Sequence, residues 1–318
     1  VSSQADVVIL GAGISGIAAA LTLEQAGLQV VLLDKGFYPG GRVMSARAHE
    51  HTVNPSVDFA RVTDATVRAF FDANLSAKLR RRLLTDHGLE IASAGRELAQ
   101  HLSQKLSVHR TFVTHGITEI TPGHPSPVGF GTFGNGPVFL GRHAILTAPP
   151  AQSLALWQAE GHAALDAPSV DYLPRMVAIC EVNGDVSVVD EHPQSHIIDE
   201  IRITKTAESR AVITVFSSGE WASKVWHHDA TMSHAQLLRE FARWFPGLSV
   251  QASQTQRWTY ADATSLHPEP FFVVRDGENK VLIAGDGFGA SPGREFGVQR
   301  AVVSGLASAN YLLKIVHD

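Results

Sequence analysis

The apolar positions of the chain change period several times, and each change marks an element. Val7-Val8-Ile9-Leu10 is a short continuous apolar run, as expected of a strand buried on both faces. Gly11-Ala12-Gly13-Ile14-Ser15-Gly16 follows, then an Ala/Leu-rich stretch to Ala26 and Gly27. Residues 30–33 form a second apolar run that ends on Asp34. The pattern predicts a strand, a glycine turn, a helix and a second strand. In residues 63–87, Val67, Phe70, Phe71, Leu75, Leu79, Leu83 and Leu84 recur at helical spacing, which predicts one helix with Gly88 as its C-cap. Residues 93–106 read as another helix, with Leu98 and Leu102 one turn apart. Residues 108–113 and 115–120 read as strands, 128–140 as a hairpin, and 143–150 as a buried strand ending on two prolines.

Beyond Ala151 the texture becomes strand-rich. Residues 176–182, 196–203 and 211–216 are β-like runs. Residues 233–245 place Leu237, Leu238, Phe241 and Trp244 on one helical face, and Pro246-Gly247 stops that helix. Residues 281–284 are a last apolar strand ending in Gly285-Asp286. A glycine-rich stretch and a closing helix over 298–313 follow.

The turn after the first strand carries chemistry. Gly11 permits a tight turn, Gly13 lets backbone approach a phosphate, and Gly16 allows close packing of helix on strand. Phosphates at such a helix N-terminus meet free N–H groups and the positive end of the dipole. Asp34 stands where an adenosine ribose diol would donate to it. These features predict a dinucleotide grip.

The totals narrow the class. A chain of 318 residues, 44% apolar and 18% charged, builds a substantial globular core. Its formal net charge of −5 speaks against nucleic-acid or membrane-surface partners. The single cysteine, Cys180, excludes an internal disulfide framework and reads as a small core residue. With no signal-peptide pattern in these residues and no bilayer-length apolar run, the expected location is the cytoplasm. The sixteen histidines include His49 with His51 and His227-His228, but no HExxH pattern, and no metal site is expected. Gly13-Ile14-Ser15-Gly16 lacks the spacing of a nucleophile elbow. No second GxGxxG follows the first, which argues against a reductase fed by a nicotinamide nucleotide. The basic run Lys78, Arg80, Arg81 and Arg82 reads as a solvated helix face.

Asp34-Lys35, then Gly40-Gly41-Arg42 with Ser45 and Arg47 beyond, resembles the flavin-containing amine oxidase superfamily, and more narrowly the renalase family. Arg257-Trp258-Thr259-Tyr260-Ala261 and Gly285-Asp286 resemble the same family at the far end of the chain. The chain departs from it at Asp58-Phe59-Ala60-Arg61, without the family's Gly-Ala-Gln, and at Gly287-Phe288, where relatives often carry Trp.

The resemblance implies an α/β fold: an FAD-binding Rossmann-like domain with an inserted, strand-rich α+β substrate domain. The FAD domain is expected over 1–60, 90–150 and 256–318, and the substrate domain over 61–89 and 151–255. The cofactor implied is FAD, held non-covalently. Gly11, Gly13, Ile14, Ser15, Gly16, Asp34, Lys35, Gly40, Gly41 and Arg42 would take its adenosine and pyrophosphate end. Ile117 would give adenine a backbone contact, and Ala148 lies where the FAD domain closes. Gly285, Asp286, Gly297 and Val298 would meet the ribityl chain and the flavin pyrimidine. Phe59, Phe216, Trp258, Tyr260 and Phe288 are the candidates for the wall of a substrate cavity, expected between the domains. The activity implied is hydride transfer from a small molecule to the flavin N5. On the renalase resemblance the substrates are dihydronicotinamide dinucleotide isomers, with dioxygen as acceptor. A flavin amine oxidase or desaturase, or a flavin-binding protein without catalysis, are the alternatives. The residues nominate no catalytic base.

Overall fold

A computed structural model describes residues 3–36, 38–48, 51–55, 59–92, 94–107, 117–121, 128–132, 138–159, 169–207, 209–276 and 278–317. The chain divides into two units. One comprises Val1–Met44, Val57–Val170 and Ser265–Asp318, and the other Ser45–Ser56 and Asp171–Thr264.

The first unit opens with strand β1 (Ser3–Leu10), helix α1 (Ile14–Gln25) and strand β2 (Val30–Leu33). The chain then gives the second unit a hairpin, β3 (Ala46–Ala48) and β4 (His51–Val53). Next in the first unit come β5 (Phe59–Arg61), α2 (Ala65–Asn74), α3 (Ala77–Leu83), β6 (Gly88–Glu90) and α4 (Gly95–Ser103). They are followed by β7 (Ile117–Thr121), β8 (Val128–Thr132), β9 (Val138–Leu146) and α5 (Pro150–Ala159). The second unit continues through β10 (Tyr172–Asn183), β11 (Ile198–Ala207), β12 (Arg210–Ser217), α6 (Gly219–Val225), α7 (Ala230–Trp244) and β13 (Ser249–Ala263). The first unit closes with β14 (Phe272–Asp276), β15 (Lys280–Ile283) and α8 (Gly297–His317).

The sheet of the first unit runs β14-β15-β9-β1-β2, and β8 joins β9 with β7 beyond it. β2, β1, β9 and β15 are parallel, so crossover helices cover both faces. Val7, Val8, Ile9 and Leu10 are accordingly all buried. Val7 and Ile9 face α1 and α8, and Val8 and Leu10 share a second layer with Trp157 of α5. α1 ends in a Schellman motif at Gly27, φ +90°, with the Leu28 amide on the Leu23 carbonyl and the Gly27 amide on that of Glu24.

The second unit is an antiparallel sheet in the order β11-β12-β10-β13. α6 and α7 cover one face through Trp221, Val225, Leu237 and Phe241. On the other face Ala46 and Val53 of the hairpin pack with Val177, Ile179, Val212 and Phe216. Cys180 is buried in mid-strand, as expected, and desolvation pushes its thiol up to about 12.

Several expectations are corrected. The helix foreseen over 63–87 is two. Leu75 ends α2, and the Ser76 hydroxyl accepts from the Leu79 amide at 3.3 Å to start α3, because a serine offers the backbone a cap in place of another helical turn. Gly88 is a strand residue and not a C-cap. A Cβ there would lie 2.1 Å from the Ala60 carbonyl oxygen, so glycine is what lets β6 close on β5. Residues 61–89 belong to the first unit, and residues 45–56, placed with the FAD domain from sequence, join the second. Arg257 to Ala261 lie inside β13 of the second unit, so they are not the return to the first. The basic run is a solvated face, where Arg82 pairs with Glu97 and Arg80 lies 3.8 Å from Asp72. Residues 108–113, His49 and Asp58 lie outside the described residues. No helix among the described residues is long and apolar enough to cross a membrane.

Candidate dinucleotide site

The front of the site is the turn between β1 and α1. Gly11 has φ +109°, and a Cβ on it would stand 2.4 Å from the Thr147 hydroxyl oxygen. A Cβ on Gly16 would stand 1.9 Å from the Gly11 carbonyl oxygen, so only glycine allows this helix to start so close to the turn. Around the Cβ direction of Gly13, by contrast, no heavy atom lies within 4 Å. No side chain caps α1 at Gly13, and no acid occupies its first turn. The helix therefore presents its N-terminal amides and dipole to an open space. The Ser15 hydroxyl, buried in that first turn, has no hydrogen-bond partner among the described residues.

Two further segments are tied to this turn. Asp34 accepts from the Ala12 amide at 2.7 Å and from the Gly36 amide at 2.6 Å, one on each carboxylate oxygen. Each oxygen keeps a lone pair that a ribose hydroxyl could use. The Gly40 amide donates to the Ala12 carbonyl at 2.7 Å, and Gly40 and Gly41 adopt φ of +124° and +54°. A Cβ on Gly40 would meet the Ala99 Cβ of α4 at 2.8 Å. The glycine pair thus lies flat between the turn and α4, and delivers Arg42.

The back of the site arrives at the end of β15. The Ala284 amide donates to the Leu146 carbonyl at 2.9 Å, and the Gly285 amide to the Ser304 hydroxyl at 2.8 Å. Gly285, φ +148°, then turns the chain to Asp286. Arg300, buried on α8, donates to the carbonyls of Asp286 (2.6 Å), Ser291 (2.6 Å) and Gly293 (2.7 Å), and so fixes the loop. Asp286 forms an ion pair with Arg42, 244 residues away in sequence. α8 itself approaches α1 at Gly305, where a Cβ would be 2.2 Å from the Ser15 carbonyl oxygen.

These residues fit a dinucleotide. An open glycine, unneutralised helix amides, an unpartnered buried hydroxyl, a cation and a ribose-side carboxylate all surround one turn. Residues 9–74 match the model of the NAD(P)-binding Rossmann-like domain. A 69-residue stretch, 21% of the chain, is 41% identical to sarcosine oxidase subunit alpha of Rhizobium meliloti (strain 1021), and spans 7% of that protein's length. Among solved structures, a putrescine oxidase with putrescine bound aligns with 99% of this chain and 100% of its own at a TM-score of 0.66. A flavoprotein/dehydrogenase from Cytophaga hutchinsonii aligns with 99% of this chain and 79% of its own at 0.58. The flavin-dependent brominase Bmp2 does so over 99% and 80% at 0.55. Identities of 12–13% mean that what is shared is the fold, an α/β Rossmann-like domain carrying a second, strand-rich domain.

The foreseen cofactor residues fall as follows. Gly11, Gly13, Ile14, Ser15, Gly16, Asp34, Gly40, Gly41, Arg42, Gly285 and Asp286 come together as described. Lys35 is exposed beside Asp34, and Gly297 and Val298 start α8. Ile117 begins β7. The Ala148 carbonyl already accepts from the Ser153 hydroxyl at 3.0 Å. Three residues that sequence reasoning missed hold the site in place: Thr147, Arg300 and Ser304. The Thr147 hydroxyl lies 3.0 Å and 2.9 Å from the carbonyl oxygens of Leu10 and Gly11. Its place directly after the 143–146 apolar run was the available signal.

The cavity-wall candidates fare less well. Phe288 is fully buried, edge-on to His267 at 5.6 Å, in the layer with Val8 and Trp157; it is core and not a wall. Phe216 is also fully buried, under the Arg202 guanidinium at 4.1 Å. Phe59 is half-buried on β5, its ring directed at Gly88. Trp258 and Tyr260 are half-buried on β13, and Tyr260 meets Tyr172 edge-on at 5.6 Å. Among the described residues no group of three or more His, Cys, Asp or Glu is placed to hold a metal ion.

Proposed function

We propose that the chain is an FAD-dependent oxidoreductase that takes hydride from a small-molecule substrate. The observation that carries the reading is the meeting of Gly11–Gly16, Gly40-Gly41-Arg42 and Asp286 at one place, joined by the Arg42–Asp286 pair. A grip for adenosine and pyrophosphate alone would need only the first strand–helix–strand unit. A second grip supplied by β15 and α8 suits a longer cofactor that continues past the pyrophosphate. The structural likeness to a putrescine oxidase and to a flavoprotein/dehydrogenase supports flavin as that continuation.

When bound, FAD would supply a hydride acceptor at N5, so the chemistry is the cofactor's and the protein orients it. In this reading the α1 amides and the Ser15 hydroxyl hold phosphate oxygens, and Asp34 accepts from the adenosine ribose. Arg42 neutralises phosphate charge, and Asp286 accepts from a ribityl hydroxyl. The binding we favour is non-covalent. The substrate class we favour is a dihydronicotinamide dinucleotide isomer, which leaves as the oxidised nicotinamide, with dioxygen as the acceptor that would take the electrons on from the reduced cofactor as hydrogen peroxide.

The purified protein should be yellow and release FAD into a denatured extract; a colourless protein with no FAD removes the reading. Anaerobic mixing then sorts the chemistry. Flavin bleaching by 2- or 6-dihydronicotinamide isomers supports the favoured substrate. Bleaching by amines alone replaces it with an amine oxidase, and no bleaching with FAD retained points to a non-catalytic flavin protein.

A further inference from the structure

Among the described residues Tyr38, 47% exposed, is the exposed large aromatic of the first unit. A single exposed aromatic is ordinary. This one is held. The Arg96 guanidinium of α4 lies 4.5 Å from its ring centre and covers one face. Arg96 and Ala99 are neighbours one turn apart on α4. Ala99 lies against Gly40, and Arg96 against Tyr38, so one helix face supports both. Tyr38 also stands at the ribose side of the grip. The chain leaves Asp34 with the Gly36 amide on its carboxylate at 2.6 Å, and returns with the Gly40 amide on the Ala12 carbonyl at 2.7 Å. Tyr38 is two residues from each anchor, so its Cα lies within about 8 Å of both. A Cβ on Gly36 would be 3.0 Å from the Asp34 carboxylate and 3.6 Å from the Tyr38 carbonyl oxygen, which sets the Tyr38 backbone beside that carboxylate.

We propose that Tyr38, steadied by Arg96, is the platform on which the adenine of the bound dinucleotide stacks; the proposal rests on the FAD reading above. The base is joined directly to the ribose whose hydroxyls Asp34 would take, so it must lie within a few ångströms of that carboxylate. Tyr38 is the exposed ring in that place. With one face covered by Arg96, it turns the other outward, and a purine has an apolar face to lay on it. Arg96 is the positioning residue. The cation fixes the orientation of the ring before the ligand arrives, so less side-chain freedom is lost on binding. The grip then holds the adenosine end at three points: phosphate on the α1 amides, ribose on Asp34 and base on Tyr38.

The test follows FAD release on dilution of the purified flavoprotein, in the parent and in Tyr38→Phe, Tyr38→Ala and Arg96→Gln. Losing an aromatic platform weakens base binding by about tenfold or more. Tyr38→Ala should therefore release FAD about tenfold faster, and Tyr38→Phe at the parent rate. Arg96→Gln keeps the ring without its support and should release about threefold faster. Equal release from the parent and Tyr38→Ala overturns the proposal. Competition against FAD rebinding separates stacking from mere propping of the loop, because ADP carries adenine and inorganic pyrophosphate does not. Tyr38→Ala should weaken ADP about tenfold and leave pyrophosphate unchanged. A loss shared equally by pyrophosphate, or no loss for ADP, overturns the stacking. A colourless parent removes the FAD reading by itself, and calorimetry with ADP then decides this one. An about tenfold loss in Tyr38→Ala supports it, and equal binding or none overturns it.

Discussion

The Arg42–Asp286 ion pair is the sharpest place to test how the site is held. The Arg42 side chain is 30% exposed and that of Asp286 10%. Two unit charges in contact near a protein surface attract by about 4 kcal/mol. Water reaching Arg42 takes off roughly half of that, which leaves a coupling of about 2 kcal/mol. The two ends of the pair are not equivalent. Arg42→Ala takes the paired cation from a nearly buried carboxylate and should cost about 3 kcal/mol. Asp286→Asn keeps shape and an acceptor, and leaves a cation that water can reach, for about 1.5 kcal/mol. The double variant should then cost about 2.5 kcal/mol, less than the arginine change alone, because the second substitution removes the carboxylate charge that has lost its cation. Urea unfolding of the cofactor-free protein measures all three, with the m-value held constant as the check on comparability. Single costs that add to within about 0.5 kcal/mol would refute the coupling, and with it the claim that the pair joins the front of the site to the back.

Other outcomes follow from the same geometry. Gly16→Ala forces a methyl onto the Gly11 carbonyl oxygen and should cost about 2 kcal/mol or more together with most of the bound flavin, read from melting and from the absorbance of the purified protein. Thr147→Val removes the hydroxyl beside the Leu10 and Gly11 carbonyls; a loss of about 1–2 kcal/mol with weaker flavin retention is expected, and wild-type retention would count against its role. Asp286→Ala should lose FAD, measured as flavin per chain, and unchanged content would remove Asp286 from the grip. His143 is buried, and burial, with Arg142 and Lys280 nearby, holds its pKa below the ordinary 6.5 while its Nδ1 accepts from the Lys280 amide at 3.0 Å. The unfolded chain therefore binds a proton that the folded one resists. This contribution to stability is complete above about pH 6.5 and declines as pH falls below it, so His143→Gln should flatten that slope in urea titrations at pH 5 to 7.

Much of the site was legible because short-range rules write it. A glycine at Gly11, Gly13 or Gly16 states a backbone need that holds wherever the turn lies, and Asp34 follows at a distance set by one helix and one strand. Gly27 announced the end of α1 for the same reason. Ser76 was equally local, yet the helical spacing of Leu75, Leu79 and Leu83 continued across it and hid the break. The aromatic candidates failed for a different reason. A phenylalanine that lines a cavity and one that fills a core have the same pattern, and Phe288 and Phe216 turned out to be core.

The sequence by itself determined the strand–turn–helix–strand that opens the chain, its phosphate-binding character and the apolar strand that ends at Gly285-Asp286, because backbone sterics and periodicity act within a few residues. Only the tertiary structure decided what meets across long separations. It brought Arg42 to Asp286, put Thr147 against the glycine turn, anchored the last loop on Arg300, and moved residues 45–56 into the second unit and 61–89 into the first. Those choices depend on which surfaces pack against which, and an ion pair over 244 residues leaves no trace in local pattern.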